Sequence, residues 1–308
     1  MPVLSGEGCA QGTGVRNKMH VHEHAVTAVQ ARALITAQMP DLAGLPLRRV
    51  GQSGTDNVLY RIGGAFVARF PRLPHAEAQI AVMARWLPTL AKALPVAVPL
   101  AERFGVAGNQ YPFAWTVLPW LEGSVVQAKT RVPTGLDADL ARLLCALQSC
   151  PIPPEAPNQT QVNRLALRLS GLEAQIAQMA GETDPAALLR FLATARTLPG
   201  PVEPAVWLHG DLYGLNLLTH RGRLSAVIDW GSVGTGDAAV DLSCAWTLFD
   251  TAERHAFRAA VNPTPAVWVR ARAYAFAKAV LAIPYYRTSN PAFCAAMRVT
   301  LARVMEAD

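Results

Sequence analysis

Apolar residues recur at helical spacing over residues 24–38 (HAVTAVQARALITAQ), which predicts an amphipathic helix closed by Pro40. The period then shortens. In LPLRRVGQSGTDNVLYRIGGAFVARFPR it predicts strands at 46–51, 57–62 and 65–70, with turns at 52–56 and at Gly63-Gly64. The glycine pair suits a hairpin because its backbone accepts positive φ. Helical spacing returns over 75–93, and further strands are predicted at Val98–Phe104 and Phe113–Pro119. The expected product is one antiparallel sheet with a helix inserted after its third strand.

Beyond Trp120 the helical period dominates, with helices predicted at Leu136–Gln148, 162–178 and Pro185–Thr197. The proline-rich ALQSCPIPPEAPNQT reads mostly as loop. Short strands follow at 206–208, 216–219 and 224–228, and three helices close the chain near 238–249, 251–260 and 266–283. No internal repeat stands out. The pattern predicts an α+β protein of two lobes: a small antiparallel β lobe over residues 21–120 and a larger, mostly helical lobe over 121–308. Residues 1–20 read as a disordered leader, with Met19 as an alternative start.

Composition narrows the class. A chain of 308 residues is long enough for two lobes, and 51% hydrophobic residues is a globular balance. No stretch has the length and apolarity of a membrane span, and the N-terminus lacks the apolar core of a signal peptide. Five cysteines without paired spacing argue against a disulfide framework or a zinc site and suggest a reducing cytoplasm. The net charge of +6 is carried by scattered arginines, without the basic and aromatic platform of a nucleic-acid binder. Neither a nucleic acid nor a membrane is therefore expected as a partner.

Candidate chemistry concentrates in LHGDLYGLNLLTHRGRLSAVIDW, residues 208–230. A short apolar strand delivers His209-Gly210-Asp211 to a loop. Asn216 then enters a hairpin, and Asp229 leaves it at the same end. Three oxygen-bearing side chains can so converge on one small volume. Hard oxygen ligands in an incomplete cage suit Mg²⁺, which keeps waters and shares substrate phosphates. A remaining carboxylate can accept a proton from a hydroxyl.

The segments HGDLYGLNLL and VIDWGSVGTGDAAVDL resemble the aminoglycoside phosphotransferase family, which has a protein-kinase-like fold. The shared pattern is HGD-x4-N, then thirteen residues to the aspartate of IDWG, then GD-x3-DL. The resemblance implies Asp211 as catalytic base, His209 as a loop-ordering residue of the catalytic segment, Asn216 and Asp229 as magnesium ligands, and Asp241 as a structural acid. Asp237 is a candidate cap for the helix that follows. The resemblance spans roughly residues 45–285 in motif order, and the middle helices match only in character.

The N-terminal lobe agrees in order. VGQSGTDNVLYRI resembles the turn that covers the nucleotide, which would place backbone N–H groups of Ser53, Gly54 and Thr55 over phosphates. As a bare hairpin the same residues are ordinary turn formers. At the lobe junction, Leu118-Pro119-Trp120-Leu121, the family's linker meets adenine; Pro119 has no N–H, so Trp120 or Leu121 must supply any donor.

Two departures stand out. Arg69 takes the place of the expected third-strand lysine, keeping the charge on a longer, planar group. Its helix partner is open: Glu77 is the acid of the next helix, either as that partner or as an ordinary first-turn acid. The acceptor end departs as well. Residues 254–300 contain no Asp or Glu, but hold Arg254, Arg258, Arg270, Arg272, Lys278, Arg287 and Arg298. That balance disfavours a polycation, although Asp237, Asp250 and Glu253 supply some acid nearby. Trp268, Tyr274, Phe276, Tyr285 and Tyr286 suit an apolar or neutral hydroxylated molecule if they line a cleft, and are otherwise core.

The expected function is an ATP- or GTP-dependent, Mg²⁺-assisted O-phosphotransferase acting on a small-molecule hydroxyl, with an aminoglycoside, a macrolide or a metabolite as acceptor. Its partners are the nucleoside triphosphate and the acceptor, and it works as a monomer or dimer. The alternative, resting on Arg69 in place of the lysine and on its open helix partner, is a non-catalytic nucleotide-binding protein.

Overall fold

A computed structural model of the chain describes residues 23–51, 56–127, 132–159 and 164–306. The first helix, α1 (Ala28–Gln38), starts where the Thr27 side chain accepts the Gln30 N–H at 3.1 Å. The strands β1 (Leu47–Arg49), β2 (Asn57–Ile62), β3 (Phe66–Pro71), β4 (Arg103–Gly105) and β5 (Trp115–Pro119) form an antiparallel sheet in the order β1-β2-β3-β5-β4. Ile62 pairs with Phe66, so the hairpin loop holds Ala65 as well as the two glycines; Gly63 takes φ +56°. One face of the sheet and α1 enclose a core with Leu34, Ile35, Tyr60, Phe70 and Trp115.

Helix α2 (Pro74–Leu90) follows β3, as the pattern predicts. Its Met83, Trp86, Leu87 and Leu90 belong to the larger core of the helical lobe, where Trp86 meets Trp207 at a ring-centroid distance of 5.3 Å. The expected strand Val98–Phe104 shortens to β4. Pro99 lacks an amide donor, and the backbone just before it pairs elsewhere: Ala97 accepts the Val227 N–H and donates to the Ser225 carbonyl, both at 3.0 Å. That pairing ties the first lobe to the second.

The second lobe contains β6 (Ser124–Val125), α3 (Leu136–Gln148), α4 (Leu165–Arg168), α5 (Leu172–Ala177), α6 (Pro185–Arg196) and β7 (Val206–Leu208). The helix expected over 162–178 is broken at Gly171, which takes φ +70°, and residues 160–163 lie outside the described residues. A hairpin of β8 (Leu217–His220) and β9 (Arg223–Val227) follows, then β10 (Gly234–Gly236), which pairs with β7. The buried Asp139 of α3 anchors the hairpin by accepting the Leu224 N–H at 3.0 Å and bonding Arg223.

The expected helix 238–249 is two short ones, α7 (Ala239–Leu242) and α8 (Cys244–Leu248). Then come α9 (Thr251–Val261), α10 (Pro265–Tyr286) and, beyond the three closing helices that the pattern predicts, a further helix, α11 (Pro291–Met305). Its start is conventional: Asn290 accepts the Phe293 N–H and Pro291 opens the first turn. Among the described residues no helix is long and apolar enough to cross a membrane.

Candidate active site

The strand β7 ends at Leu208 and hands His209, Gly210 and Asp211 to the loop. That loop is held from behind by Asp241 of α7, which is fully buried. Asp241 accepts the His209 N–H through Oδ2 at 2.7 Å and the Gly210 N–H through Oδ1 at 2.9 Å. Burial pushes its carboxyl up, and the two N–H bonds pull against that shift. Gly210 has φ +85°, and a Cβ there would sit 2.4 Å from the Ser232 carbonyl oxygen.

His209 is buried and does not line the cleft. Its Nε2 lies 3.0 Å from the Ile228 carbonyl, and its Nδ1 lies 3.2 Å from the Asp211 amide nitrogen. A carbonyl can only accept and an amide N–H can only donate, so Nε2 carries the proton and Nδ1 accepts. The ring thereby ties the loop to the end of β9.

The side chain of Asn216 donates to the Asp211 carbonyl at 2.8 Å, while its own carbonyl accepts the Ile228 N–H at 2.9 Å. That bond sets Asp229 beside Asn216 at the mouth of the hairpin, as the spacing predicts. Asp229 takes the left-handed conformation, φ +61° and ψ 59°, which a non-glycine residue adopts at a cost of order 1–3 kcal/mol. Among the described residues no group of three or more His, Cys, Asp or Glu forms a metal cage by itself.

Between the lobes lies a cleft of about 1370 Å³, lined by Asp211, Asn216 and Asp229 together with Arg69, Trp120 and Leu121. Its roof and floor are apolar, with Val67 and Leu118 above and Leu218 and Ile228 below. Ser53, Gly54 and Thr55 lie outside the described residues. At the junction, the Trp120 N–H is taken by the Ala65 carbonyl at 2.7 Å, so of the two expected donors Leu121 remains.

Arg69 is buried. Its guanidinium lies 3.5 Å from Asp229 Oδ1, donates to Gln79 Oε1 at 3.3 Å and reaches the Met83 sulfur at 2.8 Å. Burial lowers its pKa, and Asp229 counters that shift. Glu77 is not its partner: its carboxylate accepts the Ala114 N–H at 2.6 Å and holds the entry to β5. Residues two apart on a helix point nearly opposite ways, so Glu77 cannot share the face of Gln79 and Met83.

At the other end, Lys278 of α10 places Nζ 2.8 Å from Asp211 Oδ1 and 4.5 Å from the centroid of the Tyr213 ring. Burial raises the Asp211 carboxyl, but the Lys278 charge and hydrogen bond outweigh it, and the net shift is downward. Burial also raises the Tyr213 hydroxyl, as does the Asp211 charge. Lys278 was legible only as one basic residue among several. The signal was its position: a lysine inside AFAKAVLA has to find a polar partner or reach a cavity.

The remaining basic residues of 254–300 do not form a cleft face. Arg254 and Arg270 are buried, Arg270 pairing with Asp237 at 2.7 Å and with Glu203 at 2.7 Å. Arg287 and Arg298 both pair with Glu182. The expected nearby acids are also spent elsewhere: Asp237 on Arg270 and on the Ala239 N–H, and Asp250 with Glu253 on the capping box of α9. Of the five aromatics, Trp268 and Phe276 are core, and Tyr274, Tyr285 and Tyr286 line the cleft.

A small antiparallel lobe above a helical lobe, with an HGD loop and a carboxylate-bearing hairpin facing the cleft between them, defines a two-lobed, protein-kinase-like phosphotransferase. Comparison agrees. The profile of the phosphotransferase enzyme family matches residues 47–276, and the chain belongs to that family. The fold is similar to that in the GDP and kanamycin complex of APH(2")-IIia, with a TM-score of 0.73 and 18% identity over 90% of this chain and 98% of that one. It is also similar to a type I macrolide 2'-phosphotransferase, with a TM-score of 0.63 and 20% identity over 92% of this chain and 100% of that one. The apoenzyme of macrolide 2'-phosphotransferase MphH from Brachybacterium faecium gives a TM-score of 0.58 and 21% identity over 89% and 99% of the two chains. A search of the curated proteins finds no match.

Proposed function

We propose that the protein transfers the terminal phosphoryl group of ATP or GTP to a hydroxyl of a small molecule. The observation that carries this reading is the grouping of the Asp211, Asn216 and Asp229 side chains on one wall of the interlobe cleft, beside the buried Arg69. In transfer, Asp211 accepts the acceptor's hydroxyl proton, the oxygen forms a bond to the γ-phosphorus, and the bond from that phosphorus to the β–γ bridging oxygen breaks to release ADP or GDP.

Asn216 and Asp229 fit a magnesium site. The Asn216 amide nitrogen is spent on Asp211, which leaves its oxygen as ligand, and the Asp229 carboxylate is half-exposed to the cleft. Two hard oxygens from protein suit Mg²⁺ that keeps waters and shares phosphate oxygens. When bound, it neutralises charge on the β- and γ-phosphates. Arg69 contributes a fixed cation to the phosphates, Ser53, Gly54 and Thr55 cover them, and the Leu121 N–H meets the base, with Trp120 shaping the junction. His209 and Asp241 hold the loop. The nucleotide lobe over 21–120, the catalytic lobe over 121–308, a cytoplasmic location and a monomeric or dimeric state belong to the same reading.

The relatives' acceptors span aminoglycosides and macrolides by name, so the test uses a panel. Phosphate transfer from γ-labelled ATP and GTP with Mg²⁺ is measured against aminoglycosides, macrolides and hydroxylated metabolites. Transfer to one class supports the proposal. A protein that binds nucleotide but neither transfers phosphate nor hydrolyses the nucleotide contradicts it.

A further inference from the structure

The charged side chains that line the cleft among the described residues are three carboxylates and three cations: Asp56, Asp211 and Asp229 with Arg69, Arg168 and Lys278. Each carboxylate has a partner. Asp211 holds Lys278 at 2.8 Å, Asp229 faces Arg69 at 3.5 Å, and Asp56 contacts His75 at 2.9 Å. Residues 52–55, 128–131 and 160–163, between the described residues, contain no Asp or Glu. At the acceptor end the cleft offers neutral groups: Gln175, Gln178, Tyr285, Tyr286, Asn290 and Phe293.

We propose that Lys278 is a specificity-determining residue, which neutralises Asp211 and selects an acceptor that carries no ammonium group beside its reacting hydroxyl. This rests on the phosphotransferase reading above, and deepens it by naming the acceptor's charge class.

The geometry gives the reason. An acceptor hydroxyl has to come within hydrogen-bond reach of Asp211. Oδ1 is held by the Lys278 ammonium, so Oδ2 is the oxygen left to take the proton. Lys278 is itself held in place, its charge between that carboxylate and the face of Tyr213, and it comes from α10 rather than from a loop. Any acceptor cation next to the reacting hydroxyl would therefore meet a like charge a few ångströms away, on a carboxylate already compensated. Juxtaposed like charges are a strong device for rejecting a wrong ligand. The rings of Tyr213, Tyr285, Tyr286 and Phe293 add apolar faces that suit an uncharged or anionic hydroxyl compound with apolar surface.

The test uses kanamycin, a polycation, as a binding probe. Its affinity for the full-length protein is measured by calorimetry, with nucleotide and Mg²⁺ present, for the wild type and for Lys278→Met, Lys278→Gln and Lys278→Arg. Removing the ammonium uncovers the Asp211 carboxylate, so the Met and Gln variants are expected to gain about tenfold or more in kanamycin affinity, while the Arg variant behaves as wild type. Equal kanamycin binding by the wild type and both neutral variants, including none in any of them, overturns the proposal, as does an equal gain in Lys278→Arg. Nucleotide binding by each variant reports folding. Phosphate transfer across the acceptor panel and nucleotide hydrolysis, both measured on the wild type, test the phosphotransferase reading separately: the absence of both alongside a kanamycin gain would sink that reading and leave the charge selection standing.

Discussion

Asp241 grips the backbone of His209 from behind, its Oδ2 accepting that residue's N–H at 2.7 Å while Oδ1 accepts the next one. One buried carboxylate thus sets the direction in which the loop presents Asp211. An Asp241→Asn variant keeps the shape but turns one of the two acceptors into a donor facing an N–H. The expected loss is about 2–4 kcal/mol of stability, because a buried N–H loses its acceptor. Chemical denaturation of the two proteins checks it, and an unchanged midpoint would contradict this account of the loop.

Gly210 answers to two constraints at once, a positive φ and the approach of the Ser232 carbonyl. Gly210→Ala is expected to destabilise by about 2–4 kcal/mol through a clash with backbone that has no easy retreat. A thermal melt that stays within a degree of the wild type would show that the loop relaxes freely.

Gln79 and Glu77 have different duties around Arg69, the proposed phosphate contact: Gln79 bonds its guanidinium, and Glu77 bonds the Ala114 N–H. Gln79→Ala removes a bond to Arg69 and is expected to raise the KM for nucleotide by about tenfold, with a smaller effect on stability. Glu77→Gln weakens the bond to the Ala114 N–H and should cost about 1 kcal/mol of stability while the nucleotide KM stays put. Steady-state kinetics of both variants decide it, and the reverse pattern would return Glu77 to the clamp.

Acid should loosen the junction between α10 and the segment before β7. Hydrogen bonds from Thr264, then from Arg270, hold the Glu203 carboxyl down at about 2, against an ordinary 4.5. A depressed folded pKa means that the stability this group contributes is present above about pH 4.5 and is lost as pH falls towards about 2. The melting temperatures of wild type and Glu203→Gln should therefore differ at neutral pH and converge across that window. A gap that persists at the acid end would contradict the assignment.

Much of the candidate site's placement was legible because local spacing alone decides it. Asn216 and Asp229 are brought together by the register of one hairpin, and Asp211 lies five residues ahead of Asn216. What escaped depends on distant packing. The stretch 98–101 reads as strand by hydropathy, but Pro99 and the Ala97 pairing with the other lobe leave only Arg103–Gly105 in the sheet. Gln79 opposite Arg69 gives no charge signal, being a neutral amide, although helical periodicity places it and Met83 on one face. Lys278 was hidden among arginines whose carboxylate partners come from remote segments, such as Glu182 and Glu203. The closing helix α11 carries its own start signal in Asn290-Pro291.

The most direct measurement is phosphate transfer and nucleotide binding by Asp211→Asn, compared with wild type under the same Mg²⁺ and nucleotide. Transfer is expected to fall by about 10²-fold or more, since the amide cannot accept the hydroxyl proton, while nucleotide affinity changes little. Turnover retained near the wild-type rate would contradict Asp211 as the base, and with it the central assignment of this cleft.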